Sequence, residues 1–219
     1  QVDDMMIYKQ LENEARDDLA GNDPIFKLEH TEHTIHIEGF TVDKSKADIG
    51  RVFLIEHADS VHIKNIIVTE YDAFHAYSYG ENSENPEDGM YIYIANSTVA
   101  FDGLSFSNIH MFDFAGRYGI IHIDASTVSF NNLSMENIIS GSVEERVWGT
   151  SGNCIWMEHG SAVTISNSLF QNSQIFSSDQ ESGGVILVKT DNNVTYTSTL
   201  SIDNTSFINN GINTDNDAA

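Results

Sequence analysis

The chain has little positive charge. Ten Lys and Arg stand against 33 Asp and Glu, a formal net charge of −23 over 219 residues. Nucleic acid and anionic membrane both bind through cationic surface, so neither is an expected partner. Apolar runs are short, and none approaches the roughly 18 residues a membrane-crossing helix needs. Proline is scarce at two residues, and glycine stops at fifteen, a composition that argues against disorder. The one cysteine, Cys154, excludes an internal disulfide framework and is expected to pack as a small apolar residue in a strand. There is no phosphate loop, nucleophile elbow, Cys–His pair or His-Glu-x-x-His motif. No signal peptide is visible, and Gln1 is an unusual start, so a processed chain or a fragment of a larger protein is expected.

What is present is a repeated phrase. Val99-x-Phe101-x-x-Leu104-x-Phe106-x-Asn108 returns as Val128-x-Phe130-x-x-Leu133-x-Met135-x-Asn137. It returns again as Val163-x-Ile165-x-x-Ser168-x-Phe170-x-Asn172 and as Leu200-x-Ile202-x-x-Thr205-x-Phe207-x-Asn209. Two earlier copies lack the Asn: Ile35, Ile37, Phe40, Val42 and Val61, Ile63, Ile66, Val68. Apolar residues at alternate positions mean a strand with one buried face. The single skipped residue in each copy means a corner between two short strands.

A further apolar run precedes each copy, as at Tyr91–Ile94 and Ile120–Ile123, and supplies a third strand. Repeats that cannot bury their own apolar face must stack. The expectation is an all-β solenoid of about six three-strand coils over residues 25–211, with insertions at 72–89, 139–153 and 173–184. Asn108, Asn137, Asn172 and Asn209 fall in register, where each can hydrogen-bond its stacked copy or the turn backbone.

These features resemble the right-handed parallel β-helix proteins, the pectin-lyase-like superfamily, and more closely the polymorphic outer-membrane-type repeats. Those repeats carry Phe-x-x-Asn followed by Gly-Gly-x-Ile. Here Phe170-Gln171-Asn172 precedes Gly183-Gly184-Val185-Ile186, with the Asn one residue early. The resemblance implies a fold and not an activity, because function resides in sites grafted on the fold. Ile155-Trp156-Met157-Glu158-His159 is similar to the pectate-lyase Trp-Ile-Asp-His element, but the segment that carries that family's catalytic arginine has no counterpart. The polygalacturonase and pectin-methylesterase signatures are missing too.

A stack has two apolar ends that need covering. Met6, Tyr8, Leu11, Ala15 and Leu19 lie near helical spacing, so residues 1–24 would form a helical cap or a preceding coil. Residues 212–219 read as a polar tail too short to cap, which leaves the other end for self-association or a neighbouring domain. Four sequons, at Asn96, Asn132, Asn193 and Asn204, fall at turns or outward positions that would tolerate glycans, although a chain rich in Asn, Ser and Thr also makes sequons by chance.

The repeat register defines one outward strip, on the strand before each phrase. Asp124 and Glu158 sit on it as neighbours across one rung, about 4.8 Å apart. Such a pair could divide into acid and nucleophile, with crowding raising one pKa. Tyr93, His122 and Trp156 lie alongside as candidate carbohydrate platforms. The competing reading, and the favoured one, is a solvated polar ladder with the aromatics covered by the long insertions. His36 and His62 take equivalent positions in the first two coils, near His30, His33 and His57, and two imidazoles with a carboxylate could bind zinc. The ordinary reading is surface histidine. Acidic loops at 82–88, 179–181 and 215–217 would suit calcium as the one cofactor, but match no calcium motif. The reading favoured at this point is a non-catalytic extracellular or cell-surface module with a structural, adhesive or assembly role. The alternatives are a carbohydrate-active enzyme and a glycan-binding module.

Overall fold

The computed structural model describes residues 24–43, 51–73, 91–111, 119–140, 154–177, 184–189 and 196–214. They are all β, with no helix among the described residues, and form two parallel sheets, one of them strongly curled. Strands are numbered in chain order. The first sheet has six: β1 (Phe26–Glu29), β3 (Phe53–Glu56), β5 (Ile92–Ala95), β7 (Ile121–Asp124), β10 (Ile155–Glu158) and β14 (Ile186–Val188), paired in that order. The curled sheet has eleven. Three are long, β2 (Ile35–Asp43), β4 (Val61–Ala73) and β6 (Thr98–Met111). The next pass divides into β8 (Thr127–Asn131) and β9 (Ser134–Ser140). The next is β11 (Ala162–Ser166), β12 (Leu169–Gln171) and β13 (Gln174–Ser177), and the last is β15 (Thr199–Asp203), β16 (Ser206–Ile208) and β17 (Gly211–Thr214).

The chain alternates between the sheets and adds one rung to each on every pass. Equivalent positions of the phrase are therefore direct partners: Val61, Val99, Val128, Val163 and Leu200 form one line. Inward residues of both sheets share one core, including Phe53, Ile94, Phe101, Phe106, Phe130 and Phe170. Phe101 and Phe130 stack at 5.1 Å between centroids, and Phe170 and Phe207 at 4.9 Å.

The curl has a local cause. At the skipped residue of the phrase stand Gly39, Asn65, Gly103, Asn132, Asn167 and Asn204, all with φ between 44° and 76°. Glycine and asparagine are the residues that enter this left-handed region at least cost. A second left-handed series, Asn108, Asn137, Asn172 and Asn209, turns the chain again. Their amides form a ladder: Asn137 donates to Asn108 (3.0 Å), Asn172 to Asn137 (3.2 Å) and Asn209 to Asn172 (3.4 Å).

Four boundaries differ from the sequence reading. Residues 72–73 and 139–140, expected to open insertions, are the ends of β4 and β9. Residues 174–177, expected within an insertion, form β13, because Ile175 continues the inward line after the Asn turn and is buried. Residues 212–214, expected to begin a polar tail, belong to β17, which pairs with β13 through Ile175 and Ile212. The proposed helical cap lies outside the described residues, as do most of the insertions.

Candidate functional site

The outward side of the first sheet carries two parallel rows. Lys27, Leu54, Tyr93, His122, Trp156 and Leu187 are consecutive partners in one row. Glu29, Glu56, Ala95, Asp124 and Glu158 are consecutive partners in the other. The register brings Asp124 beside Glu158, and His122 between Tyr93 and Trp156.

The surroundings of these residues agree with the covered reading of the aromatics and not with an open sugar-binding strip. Tyr93, His122 and Trp156 are 8 %, 2 % and 1 % exposed, so none presents a ring face to solvent as a sugar platform. The rings pack along the row, Tyr93 to His122 at 5.2 Å and His122 to Trp156 at 6.1 Å. A cation closes each end of it. The Arg51 guanidinium lies 5.7 Å from the Tyr93 ring centre, and the Lys189 ammonium 5.2 Å from that of Trp156.

Glu158 joins the rows. Its Oε1 is 2.8 Å from His122 Nε2, and its Oε2 is 3.7 Å from Lys189 Nζ. The expectation that crowding raises a carboxyl pKa is corrected at this residue. Burial pushes the Glu158 carboxyl up, but the hydrogen bond from His122, the charges of His122 and His159 and the neighbouring Trp156 indole outweigh it and leave the pKa below the ordinary glutamate value. Glu158 is therefore ionised at neutral pH. It accepts from His122 and lies near the Lys189 ammonium, and so joins the two rows. Asp124 pairs with His159 Nδ1 at 2.5 Å on the more accessible edge.

The other candidate residues separate in the same way. His36 and His62 are exposed partners with rings 5.0 Å apart, and His30 and His57 stack at 4.8 Å. Among the described residues no group of three His, Cys, Asp or Glu converges on a metal position. Of the sequon asparagines, Asn96 is exposed at a turn. Asn132 and Asn204 instead use their amides in a ladder, Asn132 to Asp102 (2.9 Å) and Asn204 to Asn167 (2.6 Å). Asn193 and the three acidic loops lie outside the described residues. Cys154 is fully buried, and burial pushes its thiol up to about 12, which leaves it inert.

One buried polar series was missed by the sequence reading. Ser126 Oγ accepts from the Ser97 amide (3.0 Å), Ser161 Oγ from the Ser126 amide (3.2 Å), and Ser97 Oγ from the Ala58 amide (3.0 Å). Each hydroxyl donates back to a carbonyl of its own turn: Ser97 to Ala95 (2.7 Å), Ser126 to Asp124 (2.6 Å) and Ser161 to Glu158 (2.6 Å). The signal was available, since each serine stands two residues before the first valine of its phrase.

Comparison with known proteins found no matching family model, no matching curated protein and no matching solved structure.

Proposed function

We propose that the chain is a right-handed parallel β-helix of about six coils, a relative in form of the pectin-lyase-like proteins, and that it serves as an extracellular or cell-surface module for adhesion or assembly. One observation carries this reading. Ile165, Phe170 and Ile175 are at most 1 % exposed, yet their partners in the last rung, Ile202, Phe207 and Ile212, are 44 %, 46 % and 44 % exposed. Apolar side chains that are buried wherever a rung lies on them make this rung an adhesive edge that a further rung would cover. The partner with the right shape is another rung of the same kind, and a head-to-tail contact of copies builds an open filament. The acidic surface and the sequon at Asn96 suit the extracellular assignment.

The test is sedimentation of the whole chain over a wide concentration range. Association that grows with concentration, and is abolished by Phe207→Glu without loss of the β circular dichroism signal, is the expected result. A monomer at every concentration would overturn the assembly reading. The adjacency of Asp124 and Glu158 favours a second reading, a carbohydrate-active enzyme. That reading requires polysaccharide cleavage that Asp124→Asn abolishes, while the engaged and ionised state of Glu158 supports a structural part for the pair.

A further inference from the structure

We infer that His36 and His62 form a two-imidazole chelate for a divalent transition-metal ion of the zinc, nickel and copper class. The inference is independent of the assembly reading. The two side chains leave neighbouring parallel strands at directly paired positions. The pairing on either side, from Ile35 with Val61 to Glu38 with Lys64, fixes both backbones, so the imidazoles are held beside each other without any loop having to order. Both are exposed, and their ring planes are already inclined by 19°.

A metal bound by two imidazoles at about 2.0–2.1 Å per bond needs nitrogens about 3.3 Å apart in tetrahedral geometry. Side-chain torsions alone span the difference from a ring spacing of 5.0 Å. The His62 ring nitrogen 3.3 Å from Ser60 Oγ exchanges that weak contact for the ion, and water completes the shell, because no third protein ligand converges there among the described residues. Imidazole selects this class of ion over calcium or magnesium, which prefer oxygen. The net charge of −23 raises the local concentration of any cation.

The stacked pair His30 and His57 provides an internal control. Their rings are nearly parallel, at 3°, and both residues occupy left-handed turns just past β1 and β3, so strand pairing holds them on one side only, whereas His36 and His62 are held on both. The experiment is a calorimetric titration of the whole chain with Ni²⁺ near neutral pH, with Ca²⁺ in excess. Loss of an outer-shell partner alone typically weakens metal binding about 10–100-fold, so His36→Gln and His62→Gln are each expected to weaken Ni²⁺ at least about tenfold. The double variant His30→Gln, His57→Gln is expected to leave the affinity unchanged. Ni²⁺ should also broaden the imidazole proton resonances of His36 and His62 more strongly than those of any other histidine. All four side chains are exposed, so the variants keep the fold. No saturable binding, binding displaced by Ca²⁺, or binding lost with His30 and His57 while His36 and His62 are intact would each overturn the inference.

Discussion

Replacing Ser126 by alanine probes the stacking directly. Ser126 is 4 % exposed and lies in the corner that links β7 to β8. Its hydroxyl accepts from the amide of Ser97 on the preceding rung and donates to the Asp124 carbonyl. The methyl of alanine keeps the shape and removes both bonds. The Ser97 amide, in a residue 5 % exposed, then has neither its acceptor nor easy access to water. An unsatisfied buried donor costs about 1–3 kcal/mol, and that is the expected destabilisation. Urea unfolding followed by circular dichroism gives the measurement, with the midpoint moved and the slope unchanged. Ser129→Ala is the control. It lies on the same rung but points to solvent, so it should change stability by no more than about 0.5 kcal/mol. Equal midpoints for the two variants would refute the account of the serine corner.

Three further outcomes follow from the same geometry. Phe130→Ala empties a site 1 % exposed between the Phe101 ring and Ile165 and should cost about 3–5 kcal/mol, while Phe207→Ala, on the last described rung, should cost clearly less in the same unfolding assay. Gly39 and Gly103 both have φ of 76°, so alanine at either should pay the left-handed penalty of about 1–2 kcal/mol. Gly103→Ala should lose more in melting temperature, because its methyl would lie 2.9 Å from Asn65 Oδ1, whereas nothing lies within 4 Å at Gly39. Glu158→Gln should flatten part of the acid limb of stability. A carboxyl with a depressed folded-state pKa stabilises above its unfolded value and loses that contribution as pH falls through the folded one. The difference between wild type and variant should thus be full near neutral pH and shrink below about pH 4.3, as read by denaturant midpoints across pH.

Much of the backbone arrangement was legible because it depends on spacing alone. The alternation at Val99, Phe101, Leu104 and Phe106, and its return 29 residues later, fixes which side chains face inward and which positions become partners. The same register brought Asp124 to Glu158 and His36 to His62 before any coordinates were known. Burial of the outward row was legible only as one of two readings of the strip. An alternating pattern tells inside from outside of a strand, but whether another layer lies over the outside depends on distant chain. Tyr93 and Trp156 look the same in sequence whether open or covered. The sign of the Glu158 shift was hidden for the same reason, since it turns on three partners that converge only in space. The corner at Asn65, Gly103 and Asn132 was read as a bend, but the exchange of Asn for Gly that marks a left-handed residue went unused. Asn132 and Asn204 read in sequence as open glycan acceptors because their ladder bonds form only in space.

The central claim is that each pass of the chain lies parallel to the last and exactly one rung on. Methyl and backbone nuclear Overhauser contacts test it most directly. The account predicts a chain of contacts Val99 to Val128 to Val163 to Leu200, with each step about 4.8 Å and no direct contact between Val99 and Val163. Close Hα–Hα contacts typical of antiparallel neighbours, or a line in which Val128 meets neither Val99 nor Val163, would contradict it.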